Sequence, residues 1–272
     1  MKRIFNLMAV AILFVGCTKE TTLNTQLGEG SISFECQTQL SVSETTKAND
    51  ATYELPESLI PAGDDFALAL TGEYVNSETG FTESFSATYE SIATYNETLP
   101  TLGAGNYKAV ATYGEITEEG AEAACFGGEV EVTVVADELT QATIIAALLN
   151  SVIKVETTEW FDKYYENAQF TVATSANNEF TFEPNDGEMI FVAPSSTLTL
   201  SGKATNAQTG AEVAFSAVEI GETSARTLST ILVDASLAGG ASINITFDQT
   251  LTEVQLGEVD LNPDYNDDVV EE

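Results

Sequence analysis

The sequence contains no histidine, and cations are scarce: nine Lys and Arg stand against 43 Asp and Glu in 272 residues, a formal net charge of -34 at pH 7. Without histidine the chain lacks the commonest general base, the Ser-His and Cys-His nucleophile pairs, and histidine-ligated zinc or iron sites. Without clustered Lys and Arg it cannot displace counterions from a phosphate backbone, which excludes nucleic acid as a partner. Cysteine is also sparse, at three residues. Cys36 falls on the apolar side of an alternating segment and Cys125 in a Gly-rich turn region, so two thiols are expected rather than a bridge. What remains is well suited to folding: 43% of residues are hydrophobic, too many for a disordered acidic tract.

The first long apolar run is short. Lys2 and Arg3 precede Ile4 to Val15, which ends in Gly16-Cys17. A basic start, an apolar segment too short to span a bilayer and a small residue before the cut define a secretory signal peptide. The cysteine makes it a lipoprotein signal, with Cys17 the acylated first residue of the mature chain and several acyl chains holding it on a membrane. Residues 1–16 are then removed, and the 256 that follow exceed one typical domain.

Those residues repeat themselves. Leu68 to Ala87 (LALTGEYVNSETGFTESFSA) aligns without a gap to Leu198 to Ala217 (LTLSGKATNAQTGAEVAFSA), with nine of twenty positions identical. Chance would give roughly one or two, so a supersecondary unit is duplicated. Alternate Leu, then Gly, Asn and Thr-Gly, then alternate Phe and Ala describe two strands around a turn that needs positive φ. The register extends upstream, where Leu40 to Val42 meets Phe170 to Val172. Downstream, Tyr107 to Ala111 meets Ile243 to Phe247.

Strand alternation runs through most of the chain, as in Ile32, Phe34 and Cys36, in Tyr107, Ala109 and Ala111, and in Val130, Val132 and Val134. Ala142 to Val155 reads as two strands around Asn150-Ser151, because its β-branched residues lose rotamer freedom in a helix. An all-β fold of two tandem antiparallel β-sandwich domains related by internal duplication is expected. Its parts are a signal peptide at 1–16, a tether at 17–27, sandwiches at 28–150 and 151–261, and an acidic tail at 262–272.

The Gly16-Cys17 signal, the opening strand Gly30 to Phe34, the Thr46-Lys47-Ala48 tripeptide, the stretch Leu102 to Tyr107 and the late Ile243 to Asp248, in that order, resemble Bacteroidetes surface lipoproteins. In particular the chain is similar to a lipoprotein family of fimbrillin-like architecture, two transthyretin-like β-sandwiches in tandem, over essentially its whole mature length. The resemblance implies an outer-membrane, lipid-anchored protein at the cell surface. Its role would be structural or adhesive, because fimbrillin-like proteins build or anchor pili and attach cells to partners. It also implies a protease cut after a basic residue near the end of the first strand. Lys47, followed by Ala48, stands at the matching place, and loss of the strand before it would open a sheet to a donor strand. The same letters also fit a lysine in an ordinary loop.

Other patterns carry less. Ser151 and Lys154 have the spacing of some acyl-transfer enzymes, which need a helix where this segment reads as strand. Asp260, Asn262, Asp264, Asn266, Asp268 and Glu271 fall at calcium-loop positions, but Tyr265 stands where the loop requires glycine, and a solvated acidic terminus explains the run. Trp160, Phe161, Tyr164 and Tyr165 form the densest aromatic cluster. Trp160, Tyr164 and Tyr165 could stack on sugar rings, or the cluster could fill a core. The expectation is a non-enzymatic surface lipoprotein without metal or cofactor, whose partners are the membrane, other surface or fimbrial proteins, or a host glycan. A non-catalytic glycan-binding lipoprotein is the alternative.

Overall fold

Side chains that alternate apolar and polar have one dry face, and strands bury it by pairing into sheets that close over each other. The computed structural model describes residues 27–45, 50–235, 242–248 and 250–258, and among these the fold is all-β: nineteen strands and two short α-helices. The strands of the first half are β1 (Glu29–Thr38), β2 (Ser41–Thr45), β3 (Asp50–Glu54), β4 (Ala67–Val75), β5 (Thr82–Tyr89), β6 (Leu102–Gly103), β7 (Gly105–Tyr113), β8 (Phe126–Val134) and β9 (Leu139–Leu148). Helix α1 (Ile92–Thr98) follows β5. In the second half β10 (Ser151–Thr157) leads through α2 (Glu159–Tyr164) to β11 (Tyr165–Thr174), β12 (Glu179–Phe182) and β13 (Ile190–Val192). Then come β14 (Thr197–Asn206), β15 (Glu212–Glu222), β16 (Thr227–Ala235), β17 (Ser242–Phe247), β18 (Thr250–Gln255) and β19 (Gly257–Glu258). None of the described helices is long and apolar enough to cross a membrane.

The first half forms a sheet path in the order β5-β4-β7-β8-β9-β1-β6. The second half forms β13-β10-β16-β17-β18 and, separately, β12-β11-β14-β15-β19. Most ladders are antiparallel, but β1–β9, β10–β16 and β16–β2 run parallel, which corrects the expectation of purely antiparallel sheets. A parallel pair needs a long crossover. Each of these joins strands far apart in the chain, and alternation within a strand carries no information on the direction of such a partner.

Two apolar clusters form the core. One gathers Ile32, Phe34, Leu68, Leu70, Tyr95 and Phe126, and the other gathers Val155, Phe161, Phe170, Leu198, Ile231 and Ile243. The division is not at a single point in the chain. The β2–β3 hairpin, which lies early in the sequence, pairs with β16 of the second half, and Val152, Phe191 and Leu228 belong to the first cluster.

Polar bonds also fix the seam. Asn150, fully buried, accepts from the Cys125 N–H at 3.3 Å and donates to the Ala123 carbonyl at 2.7 Å, while its own carbonyl accepts from the Arg226 N–H at 2.9 Å. The Glu119 carboxylate accepts from the Thr174 hydroxyl (2.6 Å), the Asn178 amide (2.8 Å) and the Ala193 N–H (3.1 Å). Gly120 and Phe191 exchange two backbone bonds beside it.

The β4–β5 and β14–β15 hairpins repeat each other bond for bond at their turns. Asn76 accepts from the N–H groups of Glu78 and Thr79, and Asn206 from those of Gln208 and Thr209. Gly80 and Gly210 close the two turns at φ 70° and 72°, the left-handed region that glycine enters without a Cβ penalty. The likeness stops there. The second neighbour of β4 is β7, which follows it, whereas that of β14 is β11, which precedes it. The extended alignments of Leu40 to Val42 and of Tyr107 to Ala111 therefore fall on strands with different neighbours: β2 pairs with β16 and β3, and β17 with β16 and β18.

Candidate functional site

Of the six candidate site residues read from the sequence, three are described in the structure, namely Trp160, Tyr164 and Tyr165. Cys17, Lys47 and Ala48 lie outside the described residues, as does the acidic run from Asp260 onward. Lys47 and Ala48 fall between Thr45 and Asp50, the last paired residues of the β2–β3 hairpin. Strand β2 runs up to Thr45, two residues before Lys47.

Trp160, Tyr164 and Tyr165 sit on or just after α2. Its N-cap is Thr158, whose hydroxyl accepts from the Phe161 N–H at 3.1 Å and donates to Asp234 of β16, pinning the helix start to the sheet. The helical period then sorts the aromatics. Phe161 and Tyr165, four residues apart, turn inward with ring centroids 4.9 Å apart, both 2% exposed. Tyr165 is thus largely a core residue, 2% exposed, and it also borders the groove described next. Trp160 and Tyr164, also four apart, form an edge-to-face pair at 5.1 Å, and the Lys163 ammonium lies 4.6 Å from the Trp160 ring centroid. Trp160 remains 37% exposed.

On the other flank of α2 lies an open groove of about 650 Å³, bounded by Asp162, Glu166, Asn167, Gln169, Glu183 and Lys203. A β-bulge shapes it. β11 and β14 pair at Glu166–Thr205 and next at Gln169–Lys203, so β11 carries one residue more than its partner, with Asn167 at φ 51°. Asn185, at φ 61°, closes the opposite wall and buttresses the helix: its side chain accepts from the Thr157 N–H at 3.0 Å and donates to the Thr157 hydroxyl at 2.8 Å. The Thr157 hydroxyl in turn donates to Asp162 at 2.6 Å. Sequence reading missed this groove. The signal available was asparagine at both sharp bends, since Asn enters the left-handed region more readily than other non-glycine residues.

Two groups with displaced proton affinity are thiols of the interior. Burial pushes the Cys36 thiol up to about 11 and raises that of Cys125, so both are protonated at neutral pH and neither is poised as a nucleophile. Both are buried and unbridged. No group of three or more Cys, Asp or Glu side chains is arranged to hold a metal ion among the described residues.

Several solved structures resemble this fold at low identity. A candidate polysaccharide-binding protein of Bacteroides thetaiotaomicron is 10% identical with a TM-score of 0.34, over 84% of this chain and 98% of its own. A candidate cell adhesion protein of Bacteroides ovatus is 11% identical with a TM-score of 0.36, over 85% and 98%. Another from Bacteroides eggerthii is 10% identical with a TM-score of 0.36, over 85% and 96%. No curated protein matches the chain. A family model does match, over residues 28–262, and the chain belongs to that family, a domain of unknown function designated DUF4493.

Proposed function

We propose that this protein is a non-catalytic surface lipoprotein, held on the outer membrane through Cys17, with an adhesive or structural role. The seam carries this reading. A hairpin from the first half is built into a sheet of the second, and Asn150 and Glu119 bind across the same junction. Such a strut transmits load between an anchored end and a free end without relying on a flexible linker. The displaced thiols are buried and proton-loaded, which agrees with a role played by shape.

The test is performed on cells. Protease shaving of intact cells should release the protein, Cys17→Ala should move it into the supernatant, and cell attachment should fall in both cases. Attachment unchanged in a strain lacking the protein would overturn the role. Within it, the finer reading is a fimbria-associated subunit or anchor cut between Lys47 and Ala48. N-terminal sequencing should then find chains beginning at Ala48, and chains beginning only at Cys17 would refute processing.

The second reading, a non-catalytic glycan-binding surface lipoprotein, is favoured by one observation: the polar groove between α2 and the β11 bulge.

A further inference from the structure

We propose that this groove is the ligand site, and that it takes a neutral oligosaccharide; the inference rests on the glycan-binding reading and gives it a place and a ligand class. Its volume, about 650 Å³, lies within the range of small-molecule sites. The lining is mixed, with Phe161, Tyr165 and Pro184 contributing apolar surface beside a larger polar share. Asp162, Glu166 and Glu183 offer carboxylate acceptors, Asn167 and Gln169 offer amides that both donate and accept, and Lys203 adds a donor. A polyhydroxylated ring needs this mixture, because each hydroxyl donates once and accepts twice.

Charge narrows the class. Three carboxylates and one ammonium give the groove a negative balance, which disfavours phosphate, sulfate and sialic acid. A purely cationic ligand would meet Lys203. That ammonium is not consumed internally, since the ion pairs among the described residues are Lys108–Glu129 and Lys154–Glu156. Gln169 and Lys203 are cross-strand partners immediately past the bulge, so they stand side by side on the sheet. Asp162 faces them from α2, held by Thr157. The walls are therefore pre-set by the bulge, the helix cap and the Asn185 buttress, which lowers the ordering cost of binding. The Trp160–Tyr164 face lies on the opposite flank of the helix and is a separate surface.

The experiment uses the chain from residue 17 with Cys17→Ser, which keeps it in solution. An array of neutral gluco-, manno-, galacto- and xylo-oligosaccharides, with sialylated and sulfated counterparts, identifies a binder, and calorimetry measures its affinity. A neutral oligosaccharide should bind, and Gln169→Ala or Glu183→Gln should each weaken it by about tenfold or more, with unchanged thermal unfolding. Trp160→Ala should leave the affinity unchanged. Binding lost in Trp160→Ala and kept in both groove variants would overturn the site while sparing the glycan-binding reading. Binding confined to the sulfated or sialylated members would overturn the ligand class. No binding to any member would overturn the site and the glycan-binding reading together, and the adhesion assay on cells would still stand as a separate test of the surface role.

Discussion

The Asn150 carboxamide donates to the Ala123 carbonyl at 2.7 Å inside a fully buried joint between the two halves. Its oxygen accepts from Cys125, so both ends of one amide are used; the Cys125 N–H is buried and the Ala123 carbonyl partly so. Asn150→Ala should therefore cost about 1–3 kcal/mol, because it leaves a buried donor and a partly buried acceptor without a partner. Asn150→Asp should cost more: the carboxylate cannot donate to Ala123 and places a charge in the interior. Urea unfolding of the two variants against the wild type checks the order, and a loss no larger for Asp than for Ala would contradict it.

The repeated hairpins offer a paired test. A Cβ on Gly72 would stand 2.4 Å from the Tyr107 ring and 2.7 Å from the Asn106 carbonyl oxygen, whereas one on Gly202 would meet side-chain atoms, those of Phe170 at 2.6 Å and Phe215 at 2.7 Å. Backbone yields less than a ring. Both alanine variants should lose about 1–3 kcal/mol, Gly72→Ala the more. Adding Phe215→Leu should recover part of the loss in Gly202→Ala, while adding Tyr107→Leu should recover little in Gly72→Ala. Chemical denaturation of the four variants measures both differences.

These hairpins also mark how far the sequence is legible. Leu70, Asn76 and Gly80 each satisfy a local requirement, so the strand and its turn can be read from neighbouring letters, whereas Gly72 lies within β4 and is crowded by the distant Tyr107. The break at Asn150-Ser151 between β9 and β10 is legible for the same reason. Partner choice is not local. Nothing in Ser41 to Thr45 says that its ladder runs to Thr227–Ser229, and nothing in Phe170 says that its strand will do for Gly202 what Tyr107 does for Gly72 from the other side in sequence. The two helices are a different kind of miss: Ser91 and Thr158 are ordinary N-caps, outweighed by the strand pattern around them. The groove is harder still, because it exists only where a bulge, a helix flank and a distant loop converge.

The buried thiols predict an alkaline weakness. Loss of water around Cys36 raises its thiol from the ordinary 9.0 to about 11, and burial raises Cys125 in the same direction. Between pH 9 and pH 11 the unfolded chain releases a proton that the folded chain keeps, so the unfolded state binds fewer protons and stability falls as pH rises. Burial of Tyr107, raised to about 12, steepens the fall above pH 10. Urea midpoints should be flat near pH 8 and drop by pH 10.5, with a shallower drop in Cys36→Ala. At pH 8 a thiol reagent should label neither Cys36 nor Cys125 in the folded protein and both once it is unfolded. Rapid labelling of the folded form would contradict their burial.

Trp160 and Tyr165 lie five residues apart on opposite sides of the boundary between surface and core. Tyr165 is 2% exposed and packs on Phe161, which in turn packs on Phe170 at 5.9 Å; Trp160 is 37% exposed and packs on Tyr164 with the Lys163 ammonium over its ring. Truncating the first removes the buried ring at the end of an aromatic series that runs on through Phe161 and Phe170, and leaves a cavity beside Phe161. Tyr165→Ala should therefore cost about 3–5 kcal/mol. Truncating the second removes one edge-to-face contact and one cation–π contact at the surface, for about 1 kcal/mol. Near-ultraviolet circular dichroism adds an independent readout: Trp160→Ala should change the aromatic signal and leave the unfolding midpoint nearly in place, and Tyr165→Ala should move both. Equal losses of stability in the two variants would mean that α2 does not sort its aromatics between interior and solvent as described.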